Sequence, residues 1–309
     1  MNIAEIKPAD IIKSINFEEI KDHPNILIAA RFWEEDRYVA AKTCYKFMRK
    51  IDDLIDNNKA VNGCFKEEEK ESYINEVYYW INCLESLSSN DPLFTEVKDT
   101  IERFKIPVTL FYNFALSMIY DINHTGFDTV DSFIDYAEGA SVAPASVFVH
   151  LCCLKKTNGS ITEPYFNVED YARPCALFSY LVHIIRDFQK DQKNNLNYFA
   201  NNLLDKYNIK AYELKQMAEQ SKVTSEFRAM IKEYYMLAEK YKKETENILP
   251  ILDPQLDPIY RLSLHIIFNL YLQVFERIDI ENGTFTTEEL NPKPYEIKYR
   301  VQQIINKLG

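Results

Sequence analysis

Apolar residues return every three or four positions along almost the whole chain, interrupted by short polar or proline-marked intervals. That period belongs to helices with one buried face, so the pattern predicts an all-α protein, a helical bundle around a central cavity. In order, it predicts an amphipathic segment over 9–15 and a long helix over 25–56, with Pro24 at a position where a missing N–H is not needed. A polar turn over 57–63 and a charged helix over 66–87 follow, in which Glu67, Glu68, Glu69 and Lys70 form a solvated face. After a break at 88–92, Pro107 opens a helix that ends near Asp121, and Asp128 and Thr129 cap the next. Residues 136–151 form an apolar helix rich in small side chains. Further helices are expected over 168–191, 224–249 and 258–280. With no repeat, low-complexity segment or long linker in view, residues 25–309 are expected to form one domain, with 1–24 packed over its surface.

Two of these helices carry an unusual polar pattern. Tyr45, Arg49, Asp52 and Asp56 fall on one stripe, since residues three, four and seven apart share a helix face. Asp52 and Asp56 then stand one turn apart, roughly 6 Å along the axis. Carboxylates so placed repel each other, and beside Phe47, Met48, Ile51 and Leu54 they need a compensating partner. A hard divalent cation suits them, because Mg²⁺ takes one or two carboxylates plus phosphate oxygens. The second helix repeats the arrangement with Arg186, Asp187 and Asp191. Two such helices facing across a cavity could hold bridging metals.

Composition narrows the class. A formal charge of −11 argues against nucleic acid as a partner, and only 6 glycines in 309 residues accord with helices. The cysteines (Cys44, Cys64, Cys83, Cys152, Cys153 and Cys175) lack metal-ligand spacing and read as reduced, mostly core residues. The N-terminus lacks the apolar run of a signal peptide, and no stretch reaches the ~18 apolar residues of a membrane span. The expectation is a cytoplasmic protein, soluble or peripheral at a membrane; the sequence leaves its oligomeric state open.

The two motifs together resemble those of the squalene/phytoene synthases, which join two prenyl diphosphates head to head. That family carries Tyr-x-x-x-Arg-x-x-Asp-x-x-x-Asp, matched by Tyr45, Arg49, Asp52 and Asp56, and Asn-x-x-Arg-Asp-x-x-x-Asp, matched by Arg186, Asp187 and Asp191. The resemblance implies an isoprenoid synthase-like fold and about two or three Mg²⁺ ions on the four aspartates. It implies Arg49 and Arg186 on the substrate diphosphates, and catalytic tyrosines at Tyr45, Tyr136 and Tyr198. Asp121 and Tyr271 also match residues near the family's cavity. The small run Gly139, Ala140, Ser141, Ala143, Ala145 and Ser146, with Pro144, matches a segment that lets an apolar ligand lie against the backbone; close helix packing is its plainer explanation. The single-chain eukaryotic squalene synthases end in a membrane anchor; with Lys307-Leu308-Gly309 at the end of this sequence, the resemblance implies the anchor-free form of the bacterial members.

Several positions depart from the family. His183 replaces the Asn of the second motif; its imidazole could bind a metal or phosphate in the amide's place, although it is a softer ligand for Mg²⁺. Tyr180 replaces a Gln. Pro24-Asn25 stands where Ser-Phe is usual, with Phe32 and Trp33 further along. Glu288-Glu289 stands where an Arg is usual, which would leave diphosphate charge to Lys293 or Lys298. The expected activity is a phytoene synthase-like condensation through a cyclopropyl diphosphate, with geranylgeranyl diphosphate ahead of farnesyl diphosphate. The alternatives are squalene or dehydrosqualene formation from farnesyl diphosphate, with NADPH only if squalene is the product; cyclisation or hydrolysis of a single substrate; and a non-catalytic assembly role. A hydrocarbon product gives a reason for peripheral membrane contact on release.

Overall fold

A computed structural model of the chain describes residues 8–18, 25–85, 90–157 and 160–308. Pro24 and residues 88 and 89 of the expected break lie outside them. The described helices run α1 (Pro8–Ser14), α2 (Asn25–Ala30), α3 (Glu35–Asn62), α4 (Glu67–Glu85), α5 (Pro92–Phe104), α6 (Val108–Asn123), α7 (Val130–Ala137) and α8 (Ala143–Cys153). A short antiparallel hairpin, β1 (Lys155–Thr157) and β2 (Ser160–Thr162), precedes α9 (Val168–Arg186), α10 (Phe188–Lys193), α11 (Asn201–Lys206) and α12 (Ala211–Gln220). Then come α13 (Ser225–Leu252), α14 (Pro258–Phe275), α15 (Thr287–Leu290) and α16 (Pro294–Leu308). Apart from the hairpin, the all-α expectation holds.

The bundle is built around α9, whose Leu177, Phe178, Leu181, Val182 and Ile185 are wholly buried. Apolar residues on several sides of one helix mark it as interior. It packs along α13 and against α8 and α14. On the other side of α8 lie α3 and α6, with α4 and α5 outside them. Side-chain caps set several starts: Asp91 accepts from the Leu93 N–H, Thr129 and Ser132 form a reciprocal box, and Thr224 accepts from Phe227. The N-terminal α1 packs on α16 and buries Ile12. Among the described residues no helix is long and apolar enough to cross a membrane.

Four local expectations need correction. The helix expected over 25–56 is divided, because Trp33 Nε1 donates to Ser263 Oγ at 2.8 Å while that hydroxyl donates to the Ala29 carbonyl. These bonds to α14 turn the chain between Ala30 and Glu35, although local propensity alone would run through. The turn expected over 57–63 is helical as far as Asn62; α3 stops at Gly63, which adopts φ 77° and bonds its N–H to the Lys59 carbonyl. The helix expected over 168–191 breaks at Asp187 (φ −93°, ψ 4°), the bridge region where active-site residues often sit. Finally, α14 ends at Phe275, five residues short of the expected end.

The small-residue run also resolves into two roles. Between α7 and α8 the backbone widens into a π turn, Glu138–Val142, a form frequent at functional sites. Gly139 faces α6 so closely that an added Cβ would lie 2.1 Å from the Asn113 carbonyl oxygen and 2.2 Å from Ser117 Oγ. That face is close helix packing. On the opposite face Ala140, Ser141, Pro144 and Ala145 line a cavity.

Candidate active site

The cavity measures about 460 Å³ and is bounded by α2, α3, α6, α7, the π turn, α8, α9, α10, α13 and α14. Asp52 and Asp56 come from α3, and Asp187 and Asp191 from the α9–α10 junction; all four line this one space. Much of the remaining wall is apolar, including Met48, Phe114, Met118, Val147, Phe148 and Leu264. Such a site offers charge at one place and room for an apolar tail elsewhere. Asn25 lines the wall, whereas Phe32 and Trp33 are buried behind it.

Electrostatics tie the two acidic pairs together. Burial, then the neighbouring Asp56, pushes the Asp52 carboxyl up to about 8, against the opposing pull of Arg49. The Asp52 side chain keeps 29% of its exposed area, on the cavity wall. Burial, then Asp121, pushes Asp56 up to about 6. Asp191 is held well above the carboxylate range by burial, then Asp187, then Asp56 on the facing helix. A set of oxygen donors whose anionic forms oppose one another is short of positive charge.

Asp187 behaves differently. Burial pushes it up, but His183 and Arg186 together outweigh burial and hold it below the usual range. Arg186 places Nε 2.6 Å from Oδ1 and Nη2 2.9 Å from Oδ2 of Asp187, and His183 Nε2 lies 2.8 Å from Oδ2. Arg186, expected on a diphosphate, lines the cavity, although it is largely buried and bonded to its neighbour. His183 lines the cavity but is likewise turned onto Asp187. Arg49 bonds Asp52 at 2.8 Å and Asp53 at 2.7 Å, yet its side chain is 50% exposed. Lys293 and Lys298, expected to meet diphosphate charge, are exposed and absent from the wall. Lys190 lines it instead.

Tyr45, Tyr136, Tyr180, Tyr198 and Tyr271 all line the cavity. Tyr180 stacks near Tyr136, with ring centroids 6.3 Å apart, and meets Tyr198 edge-on at 6.2 Å. Burial pushes the hydroxyls of Tyr136, Tyr180 and Tyr198 well above the usual phenol range, so all three stay neutral. Asp121 does not line the main cavity as expected; it stands behind Tyr136, accepting its hydroxyl proton at 2.5 Å. Lys59 then bonds Asp121 at 2.7 Å.

Sequence reading passed over Asp53, Lys59, Lys190 and Asn194. Helix spacing could have found Lys190, which lies four residues after Arg186, and Asp53, four after Arg49. Lys59 gave no such signal, because its partner is distant in the chain.

Among the described residues no group of three His, Cys, Asp or Glu side chains could by itself hold a metal ion. The donors come as pairs, which fits Mg²⁺, a cation that uses one or two carboxylates and completes its shell with water and phosphate. The raised aspartates are the observation that supports that fit.

Comparison with known proteins adds four findings. A family model described as squalene/phytoene synthase matches residues 21–294. A dehydrosqualene synthase solved with a ligand superposes with a TM-score of 0.67 at 14% identity, covering 97% of this chain and 95% of that one. Squalene synthase HpnC from Alicyclobacillus acidocaldarius gives 0.58 at 14% identity, covering 84% and 93%, and YisP from Bacillus subtilis gives 0.53 at 13%, covering 85% and 98%. At these identities the structural likeness is one of fold.

Proposed function

The chain belongs to the squalene/phytoene synthase family, and from that premise we propose that it joins two prenyl diphosphates head to head through a cyclopropyl diphosphate. The observation that carries the reading is the convergence of two acidic pairs, from separate helices, in one largely apolar cavity. Asp52 and Asp56 on one wall and Asp187 and Asp191 on the other are the residues that would hold Mg²⁺. When bound, Mg²⁺ supplies charge withdrawal from the leaving diphosphate.

The chain's own residues do the rest. Arg49, half exposed, can turn from its carboxylates to a diphosphate, and Lys190 adds a second cation at the same wall. Arg186 and His183 fix the Asp187 carboxylate and, lining the same cavity, stand within it to meet a diphosphate. The allylic cation left by ionisation is attacked by the double bond of the second substrate, and proton loss closes the cyclopropane, which still carries a diphosphate. A second ionisation and rearrangement follow. Faces of Tyr45, Tyr136, Tyr180, Tyr198 and Tyr271 stabilise cationic carbon, and the apolar wall excludes water that would quench it.

The product reading is a hydrocarbon closed by proton loss, without a nicotinamide reductant, and with geranylgeranyl diphosphate ahead of farnesyl diphosphate. His183 and Tyr180 in place of the family's Asn and Gln support it, as does the 284–290 segment. There Glu289 accepts from Thr284 and Gln189 of α10 accepts from Thr287, so the segment packs beside α10 without adding a cation to the cavity. Residues 25–309 act as one synthase domain in this reading, cytoplasmic, with membrane contact serving release of an apolar product. Pyrophosphate counted against hydrocarbon tests it. Two pyrophosphates per hydrocarbon of doubled carbon number are expected, whereas one pyrophosphate per product of unchanged carbon number would mean a cyclase or hydrolase.

A further inference from the structure

Resting on that reading, we propose that Lys59 is a positioning residue for the reaction, acting through Asp121 to fix the direction of the Tyr136 hydroxyl. Lys59 sits one turn beyond Asp56 on α3, in the last turn before Gly63 ends the helix. Its Nζ lies 2.7 Å from Asp121 Oδ1 on α6, and the side chains keep only 7% and 13% of their exposed area. The other Asp121 oxygen accepts the Tyr136 hydroxyl at 2.5 Å. Tyr136, on α7, lines the reaction cavity, but Lys59 lines only a small polar pocket behind it, with Asp121, Asn195 and Asn197.

A buried ion pair is a poor way to gain stability, since apolar residues of the same volume usually serve as well or better. Its effect here is on hydrogen-bond direction. A phenol has one proton and two lone pairs. With the Asp121 carboxylate held by Lys59, the Tyr136 proton is committed to it, and the oxygen lone pairs face Tyr180 and the cavity. Without Lys59, the Asp121 carboxylate loses the contact that holds it toward Tyr136. A carboxylate that swings away releases the Tyr136 hydroxyl, whose proton can then turn toward the cavity, where it opposes a carbocation.

The test measures steady-state kinetics and thermal unfolding of Lys59→Met, Lys59→Arg, Asp121→Asn and the double variant Lys59→Met/Asp121→Asn. Because a positioning contact costs less than the roughly hundredfold of a group that itself moves the proton, K59M should lower kcat about tenfold. Its KM should stay within about twofold, as Lys59 does not touch substrate. K59R, which keeps the charge, should recover most of the loss. In the double variant an amide oxygen can accept from Tyr136 with no unpaired charge nearby, so kcat and melting temperature should exceed those of either single variant. If K59M fails to fold, the double variant against D121N decides: recovery supports the inference and equal or worse behaviour overturns it. Unchanged kcat in K59M, a loss confined to KM, or additive losses would each overturn it as well. A wild-type chain that forms no doubled product overturns the functional reading and this inference together, whereas normal wild-type turnover with an indifferent K59M overturns this inference alone.

Discussion

Gly139→Ala is the smallest change expected to disturb both the fold and the cavity. The new Cβ would sit 2.1 Å from the Asn113 carbonyl oxygen, a backbone atom that cannot swing aside, and 2.2 Å from Ser117 Oγ. Restoring ordinary contact requires α6 and the π turn to separate by roughly 1 Å. Strain of that kind lies at or beyond the upper end for overpacking, about 3 kcal/mol. For a chain of this size that lowers the melting temperature by roughly 5 °C. The same shift moves the wall formed by Ala140, Ser141, Pro144 and Ala145, and a misplacement of about 1 Å can cost roughly a hundredfold in turnover. Gly126→Ala is the control, because its Cβ would meet only Asn197, at an unstrained 3.5 Å, and should change stability by no more than about 0.5 kcal/mol. Differential scanning calorimetry and product formation on both variants check this. G139A matching the wild type in both would refute the close-packed π turn.

Arg186→Met should destabilise the protein by up to about 3 kcal/mol by leaving the buried Asp187 with His183 as its remaining partner, and Arg186→Lys should rescue little of it, lacking the two-pronged fork; denaturant titration of both variants decides. His183→Ala, removing a 41% exposed side chain, should cut turnover while changing stability by no more than about 1 kcal/mol; a large stability loss with normal turnover would mean a purely structural histidine. His150 is buried, donates from Nε2 to the Phe104 carbonyl and has its pKa lowered chiefly by burial. The unfolded chain then takes up a proton that the folded chain refuses as pH falls below about 6.5, so stability falls with pH from there down to the lowered folded value. His150→Gln, which keeps a donor but does not titrate, should flatten that segment of the stability profile; an unchanged slope would count against it.

The two motifs were legible because helix spacing is a local property: residues four apart share a face whatever packs on it, and all four aspartates reach one cavity. What the sequence concealed depends on partners far along the chain. The break after Ala30 comes from the bonds between Trp33, Ser263 and Ala29, and no pattern within 25–56 announces it. Lys59 read as part of a polar turn because Asp121, which draws it into the interior, belongs to another helix. The motif placed Arg186 at the cavity, where it lies, but gave no sign that its guanidinium also grips the neighbouring Asp187. Gly139 and Ala140 looked alike in sequence, and only the three-dimensional face separates close packing from cavity wall.

The central claim is tested most directly by incubating the purified protein with geranylgeranyl or farnesyl diphosphate and Mg²⁺, with and without NADPH, and weighing the products by mass spectrometry. The account predicts a hydrocarbon carrying the carbon of two substrate molecules, formed without NADPH and more readily from geranylgeranyl diphosphate. A doubled product that appears only when NADPH is added would contradict the proton-loss ending, and no doubled product under any of these conditions would contradict head-to-head condensation itself.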